Sequence, residues 1–503
     1  MAKLTNMPQV KLGVVGVSRD CFPVELTRRR LAALMKALAA RGLRAHRCGV
    51  IIQSEKDAQA ALADLDAKGC NAAVIYLGNF GPEGPTSLFA EEFSGPERAR
   101  RPVMVCAAAE ENKATLASDR GDALCGLLSC SYNLALRNVR AHMPERPVGL
   151  PDELAAAVAH FERVARIALG VRNMKILAFG PRPHDFLACH APLEPFFRLG
   201  VEVMENSELD LLRLYQAAAE KKRDIARVVA DMKRELGPGA SYPDLLPKLA
   251  QFEVALLAAA SEHSWENRYT VFANKCWPSF EFAFGFVPCY VNGRLADRGL
   301  PVACEVDMYG ALSEYMIQLA SAATATLLDI NNTVPDDVLP PKADLKGAEP
   351  RDLFMGFHCG NTAASCMKNC RLNYQVIMNR LMEAGGTPDI TRGTLEGQLR
   401  PGPTTLFRLQ ADPHGKLLSY VAEGEILDID PCSFGSVGIV AIPGFARFYR
   451  HVLVGRHFPH HVAAGFARAG RTLVDALHLL GVDDVSAPLP AGAPYPGENP
   501  FKP

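Results

Sequence analysis

Short, uninterrupted apolar runs alternating with segments of helical spacing constrain this chain more than any other feature. KLGVVGVS (11–18) is apolar and β-branched, and Glu25 to Ala40 follows with Leu26, Leu31, Leu34 and Leu38 at helical intervals. The pattern recurs through CGVII (48–52), a helix near 55–68, NAAVIYLGNF (71–80) and, after the basic loop PERARR, PVMVCAA (102–108). A strand that is apolar at every position is covered on both faces, the arrangement of a parallel sheet flanked by helices. Ligands on such sheets sit at the carboxyl ends of the strands. Those ends are Ser18-Arg19-Asp20, Gly78-Asn79-Phe80 and the segment from Ala108 to Glu110.

The same grammar restarts after Arg172. NMKILAFG (173–180) reads as a strand with PRPHDF as its loop, followed by a long charged helix over about 207–237 that PGASYP (238–243) ends. A helix over 245–261, a strand-like PVACEVD (301–307), a helix over 310–324 and the strand TLLDINN (326–332) complete this part. PDDVLPPKADLKGAEP (335–350), rich in Pro and charge, marks a boundary. Beyond it, TTLFRLQAD and KLLSYVAEGEILDI flank Asp412-Pro413-His414-Gly415 and predict an antiparallel hairpin. GSVGIVAIPG and FYRHVLVG add strand-like pieces, HVAAGFARAGRTLVDALHLLG (461–481) predicts a last helix, and the tail after Asp484 an extended arm. The expected fold is α/β: two doubly wound α/β domains, 1–172 and 173–345, followed by a mainly antiparallel β C-terminal domain, 346–503.

The charge balance narrows the function classes. Lys and Arg number 54 against 55 Asp and Glu, a net charge of −1. Nucleic-acid binding needs a basic surplus, and so does adhesion to an anionic membrane. No apolar run is long enough to span a bilayer, and the first 20 residues lack an apolar stretch followed by a small-residue cleavage site. The 14 cysteines are scattered without paired C-x-x-C knuckles, as in a reduced, cytoplasmic protein. No G-x-G-x-x-G, Walker A, G-x-S-x-G or H-E-x-x-H motif occurs, which removes the main support for a nicotinamide enzyme, a P-loop NTPase or an α/β-hydrolase.

Three segments put ligand-type side chains where simple packing does not want them. They are Cys304-Glu305-Val306-Asp307 in a strand-like run, Leu327-Leu328-Asp329-Ile330, and Arg456 to His461 at the opening of the last helix. Carboxylates are rarely buried unless they are paired or bind a metal. Oxygen-rich ligation with one imidazole suits Mn2+ or Mg2+ better than structural Zn2+. Plainer roles exist: a buried Glu pairs with an Arg, an Asp after a strand caps a helix, and a His-His pair lies on the surface. His358, in GFHCGNTAASC (356–366), reads as a ligand, a substrate hydrogen-bond donor or a satisfied buried histidine. Arginines follow strands in VSRDCFP (17–23) and FGPRPHDF (179–186), where they grip hydroxyls or carboxylates or pair on the surface. Lys275 beside Trp277 is a sugar-stacking platform or part of the core.

In their order and spacing, GVSRDCFP, ILAFGPRPHDF with FFRLGVEVMENSELDLLRLY, ACEVDMYGA, TLLDIN, FHCGNT and PHHVA resemble the L-fucose isomerase family and, more distantly, L-arabinose isomerase. The resemblance runs over most of the chain. It implies an aldose–ketose isomerase with Glu305, Asp329 and His461 as metal ligands, Mn2+ first and Mg2+ or Co2+ as alternatives. His461 is chosen over His460 as the residue directly before the following helix. Glu305 and Asp329 are the expected catalytic groups, and Arg19, Lys275, Trp277, His358, Asn361 and His460 the expected substrate contacts. Fucose isomerases carry Asn where His460 stands, so the sugar is open between a free 6-deoxyhexose or pentose of the L-fucose/D-arabinose type and an L-arabinose-type or otherwise altered sugar. The rival from another class is a sugar-binding protein of the same fold that has lost catalysis.

The residues suit that reaction. Moving a carbonyl between C1 and C2 needs a proton taken from one carbon and returned to its neighbour. A divalent ion at O1 and O2 stabilises the charge of the cis-enediolate, and two carboxylates alternate as base and acid. No Gly-rich anion cradle or Lys/Arg cluster accompanies the metal motif, so an unphosphorylated sugar is expected. The family's trimers or dimers of trimers imply a homotrimer or homohexamer in which Arg19 of one subunit reaches a neighbour's metal site.

Overall fold

Every residue of Leu12–Val17 is buried and the strand lies between two others, the environment an all-apolar run needs. The structure, a computed structural model, describes residues 6–114, 116–117, 120–264, 268–499 and 501. Residues 1–5 of the amino-terminal segment read above, and 500, 502 and 503 of the tail, lie outside the described residues. The chain divides into two compact units, one of Pro8–Arg172 with Asp475–Gly481, the other of the remaining described residues.

The first unit is a five-stranded parallel sheet of β1 (Leu12–Val17), β2 (Ala45–Ile52), β3 (Ala72–Leu77), β4 (Val103–Ala108) and β5 (Val148–Gly149), in the order β2-β1-β3-β4-β5. Helices Val24–Ala40 and Glu55–Ala67 fall where the periodicity put them, the second opened by a capping box of Ser54 and Asp57.

The second unit contains a parallel sheet of β6 (Met174–Phe179), β7 (Glu202–Asn206), β8 (Tyr269–Ala273) and β9 (Val302–Ala303), ordered β7-β6-β8-β9. The expected single helix over 207–237 is two, Glu208–Ala218 and Lys222–Leu236, each with its own buried residues. The strand expected over 301–307 stops at Ala303, and Cys304–Val306 is a tight turn.

The remaining strands are β10 (Ala325–Thr333), β11 (Leu353–His358), β12 (Met367–Tyr374), β13 (Arg392–Leu399), β14 (Gly402–Ala411), β15 (Leu417–Ile426), β16 (Ser436–Ala441), β17 (His461–Gly465) and β18 (Val485–Ser486). They form a mainly antiparallel sheet in the order β12-β13-β16-β11-β10-β17-β14-β15-β18. A further antiparallel pairing of β15 with β16 closes β16, β11, β10, β17, β14 and β15 into a ring. The hairpin around Asp412 to Gly415 joins β14 to β15 as predicted. β10, read from sequence as the last strand of the second α/β part, sits inside this ring instead.

Two further expectations fail for physical reasons. FYRHVLVG is helical: Phe445–Phe448 and Tyr449–Val454 bury Phe445, Phe448, Val452 and Leu453, a helical stripe that the β-branched content concealed. HVAAG, expected to begin a helix, is strand β17, paired with β10 on one side and β14 on the other, and the helix runs only over Gly470–Leu480. Its small residues suit a tightly packed strand, since a Cβ at Gly465 would lie 2.8 Å from the Ile317 side chain. Pairing on both edges overrides alanine's helix propensity. Among the described residues no helix is long and apolar enough to cross a membrane.

Backbone proximity sets one sharp constraint in the first unit. A Cβ at Gly126, inside helix Ala123–Leu136, would lie 1.8 Å from the carbonyl oxygen of Phe80. Helix propensity alone favours Gly126→Ala by about 1 kcal/mol. The clash reverses the sign, and a destabilisation of about 1–3 kcal/mol is expected, read as a lowered midpoint in thermal or urea unfolding. An unchanged or raised midpoint would contradict this packing.

Candidate metal centre

Glu305 is aimed inward by a strained turn. After Ala303 the chain enters the left-handed region at Glu305 (φ 54°, ψ 23°) and again at Val306 (φ 55°). A β-branched residue at positive φ is costly and persists only where its surroundings hold it. Here the Val306 N–H donates to the Asn274 carbonyl at 2.8 Å, and the side chains of Asn274 and Asn292 bond to each other at 3.2 and 3.1 Å. The Glu305 side chain ends only 8% exposed. Two residues on, Asp307 starts helix Met308–Ser321, its carboxylate accepting the Gly310 N–H at 2.8 Å.

The ring of strands supplies the rest. Asp329 on β10 is directly opposite His461 on β17 and Phe357 on β11, and His358 follows Phe357. Directly opposed side chains on antiparallel strands project to the same face. His461 Nε2 lies 3.6 Å from Glu305 Oε2 and 3.5 Å from Asp329 Oδ1. His358 Nε2 lies 3.6 Å from Glu305 Oε2, and His460 Nε2 3.8 Å from Asp329 Oδ1. Glu305 Oε2 and Asp329 Oδ1 are both buried without a hydrogen-bond partner. Two orphaned carboxylate oxygens facing one imidazole nitrogen are what a cation would satisfy, so the residues present fit a divalent metal.

Hydrogen bonding separates the two histidines. His461 Nδ1 donates to Asp307 Oδ2 at 2.9 Å, which leaves the Nε2 lone pair facing the carboxylates. Asp307 is itself clamped by Arg408, whose Nη1 and Nη2 donate at 2.5 and 3.1 Å. Burial works against the charge on Asp307, but Arg408 and His461 outweigh it and hold its pKa well below the ordinary value. His358 Nδ1 instead accepts the Cys359 N–H at 2.9 Å, so its Nε2 carries the proton. His358 is therefore built as a donor. Burial also opposes ionisation of Glu305, yet His358, which turns its Nε2–H toward it, brings its pKa down to about 2.

The other expected residues are placed as follows. Phe186 packs edge-on against His460 and Trp277, at ring distances of 5.4 and 6.0 Å, so the half-buried Trp277 belongs to an aromatic group beside the histidines. Lys275 is buried and its Nζ pairs with Glu208 Oε2 at 3.0 Å. Asn361 is buried, its Oδ1 without a hydrogen-bond partner. Arg19 belongs to the other compact unit, where its guanidinium lies over the Phe80 ring and 4.0 Å from Glu83. His461 opens a strand rather than preceding a helix.

Sequence reasoning missed Asp307 and Arg408 as members of the site. The signal for Arg408 was an arginine within TTLFRLQAD, where Leu406, Phe407 and Leu409 are all buried; such a charge needs a buried acid. Asp307 was visible only as the second acid of CEVD.

The sequence matches two family models: "Fucose/sulfoquinovose isomerase, N-terminal domain" over residues 13–172 and "L-fucose isomerase, C-terminal domain" over 356–486, the latter including His358, Arg408, His460 and His461. Among curated proteins it is similar to a sulfoquinovose isomerase of Clostridium sp. (strain MSTE9), 26% identical over 304 residues, 59% of this chain and 61% of that protein. It is also similar to one of Alkalicoccus urumqiensis, 28% identical over 292 residues, 56% and 58% of the two chains. A third, of Priestia aryabhattai, is 22% identical over 341 residues, 67% and 70%. The match thus spans about three fifths of the length of the first two relatives. The two matched models, at either end of the strained turn and the β10 strand that carry the carboxylates, agree with the motif order read above: the chain belongs to the fucose isomerase family.

Proposed function

We propose that this chain is a divalent-metal-dependent aldose–ketose isomerase, with Mn2+ the first choice of metal and Glu305, Asp329 and His461 its ligands. One observation carries the reading: the unpartnered oxygens of Glu305 and Asp329 lie 3.6 and 3.5 Å from the same nitrogen of His461. When bound, the ion would supply Lewis-acid stabilisation of the charge that develops on the sugar oxygens. Glu305 and Asp329 would take the proton from C2 of the open-chain aldose and return it at C1, in the sense of a cis-enediol route. His358 would donate its Nε2–H to a sugar oxygen, and Phe186 and Trp277 would keep water from one side of the reacting carbons. The 14 free thiols support a reducing, cytoplasmic setting.

Glu305→Gln and Asp329→Asn are each expected to lower turnover by about 100- to 10,000-fold, with secondary structure by circular dichroism unchanged. His461→Ala is expected to lose bound metal in elemental analysis. Parent-like rates in all three variants would remove the assignment, and tight sugar binding without turnover in the parent would favour the non-catalytic rival.

For the sugar, the primary reading is a free 6-deoxyhexose or pentose. A second reading, a sugar with an acidic substituent, is favoured by the relatives named sulfoquinovose isomerase and by Arg182. That arginine lies on the loop after β6 that also carries Phe186, and its Nε is buried without a partner. In a kcat/KM panel of neutral aldoses, a sugar phosphate and a sugar sulfonate, the primary reading expects a neutral aldose to be best. The second expects the sulfonate to be best and Arg182→Ala to reduce it by roughly 10- to 100-fold, the worth of a charged hydrogen bond. A preference for the phosphate would overturn both.

For assembly, we infer a homotrimer or homohexamer with active sites shared between subunits. Helix Ala123–Leu136 supports self-association: Leu124, Leu128, Tyr132 and Leu136, one turn apart, are 63–68% exposed while the opposite face is buried, and a helix apolar on all sides belongs in an interface. Light scattering is expected to give an oligomer, and Leu124→Glu with Leu128→Glu a smaller species. Mixed assemblies of Arg19→Ala and Glu305→Gln subunits, each inactive alone, are expected to recover part of the activity. An active monomer, or confirmed mixing without recovery, would refute the shared site.

A further inference from the structure

Sulfur surrounds a ligand set made of oxygen and nitrogen. The Cys189 Sγ lies 3.6 Å from His461 Nδ1. Cys359, next to His358, accepts a hydrogen bond from Gln375 Nε2 at 3.2 Å. Most pointed is the third case: the Sγ atoms of Cys276 and Cys304 and a carboxylate oxygen of Glu305 all lie within 4.8 Å of one another, every one of the three residues buried. Cys276, Cys289, Cys304 and Val287 make a small buried cluster of their own, with Trp277 packed against it. All these thiols are free.

A buried cysteine is often a small apolar filler. Filling space does not account for two thiols gathered within 4.8 Å of one carboxylate oxygen. Zn2+ binds thiolate sulfur at about 2.3 Å and carboxylate oxygen at about 2.0–2.2 Å, so ligand atoms around one tetrahedral ion stand roughly 3.5–4 Å apart. Atoms within 4.8 Å of one another are within roughly 1 Å of that spacing.

We propose that Cys276, Cys304 and Glu305 form a second cation pocket that takes a thiophilic divalent ion such as Zn2+ or Cd2+, with the Cys289 thiol as a further sulfur nearby. Binding displaces the two thiol protons to solvent and involves no change of oxidation state. Soft thiolates select such ions over Mn2+ or Mg2+, which prefer oxygen and nitrogen donors. The pocket stands on its own geometry. Its consequence rests on the reading of Glu305 as a ligand in the proposed function: one carboxylate serves both sets, so a thiophilic ion competes with Mn2+ for it.

The test uses full-length protein, reduced and stripped with a chelator, titrated with Cd2+ while the ultraviolet thiolate-to-cadmium charge-transfer absorption is followed. The absorption is expected to saturate at one equivalent per chain and to be lost in Cys276→Ser with Cys304→Ser. It is expected to survive replacement of the exposed Cys21, Cys125 and Cys432 by Ser. Single Cys276→Ala and Cys304→Ala chains, each expected to lose at least half of the absorption, serve if the double variant does not fold. Absence of the band, or its persistence in the cysteine variants, overturns the pocket. In protein preloaded with Mn2+, Cd2+ is expected to release the ion, seen as the return of the free-Mn2+ electron paramagnetic resonance signal; a band without release overturns the competition for Glu305. Mn2+ binding without a band refutes the pocket and leaves the isomerase reading standing. A band in protein that binds no Mn2+ supports the pocket and removes the Mn2+ assignment of the proposed function instead.

Discussion

One buried carboxylate, that of Asp307, joins the pieces on which the site depends. It caps helix Met308–Ser321 through the Gly310 N–H, takes two hydrogen bonds from Arg408 on β14, and receives the Nδ1–H of His461 on β17. The strained turn after β9, the helix and two strands of the ring are thereby held to one another. An ion pair as buried as Arg408 with Asp307, side chains 2% and 1% exposed, adds little over a well-packed apolar pair. Removing one partner, by contrast, typically costs about 3–5 kcal/mol, because the other charge is left buried and unpaired. Such a pair serves geometry more than stability: it sets the tautomer and orientation of one imidazole.

The ring supplies a second kind of precision. Asp329 and His461 need no turn or cap to meet, because antiparallel pairing of β10 with β17 puts them directly opposite each other. A slip of one residue would turn Asp329 to the other face of the sheet. The buried neighbours Leu327 and Leu328, paired with Ala463 and Val462, make such a slip expensive. Glu305 arrives differently, through a positive-φ turn whose cost is borne by hydrogen bonds from the surrounding backbone. Register and strain together bring two unpartnered carboxylate oxygens to one nitrogen, and a cation is the simplest group that satisfies all three.

Much of the architecture was legible in the chain. The parallel strands of the first third show as continuous apolar runs because both faces are covered, and the hairpin at Asp412 to Gly415 shows in its turn residues. What misled were segments whose partners lie far away. HVAAG carries helix-forming alanines but is held between β10 and β14. TLLDINN reads equally well as the end of a βα unit or as a strand of the ring, since periodicity says that a strand is buried without saying beside which strand.

The site divides along the same line. Residue chemistry pointed to three segments, Cys304 to Asp307, Leu327 to Ile330 and Arg456 to His461, because carboxylates inside apolar runs are costly without a purpose; the family resemblance implied Glu305, Asp329 and His461 within them. That chemistry is local, and so is the family's motif order. Everything that depends on which strands become neighbours lay outside it. The sequence could not separate His358 as a donor from His461 as an acceptor, since the tautomers follow from Cys359 and Asp307. Nor could it pair Arg408 with Asp307, or gather Cys276 and Cys304 on Glu305. Spacing along a chain determines what each residue can do, whereas hydrogen bonds between distant segments decide which atoms each residue faces.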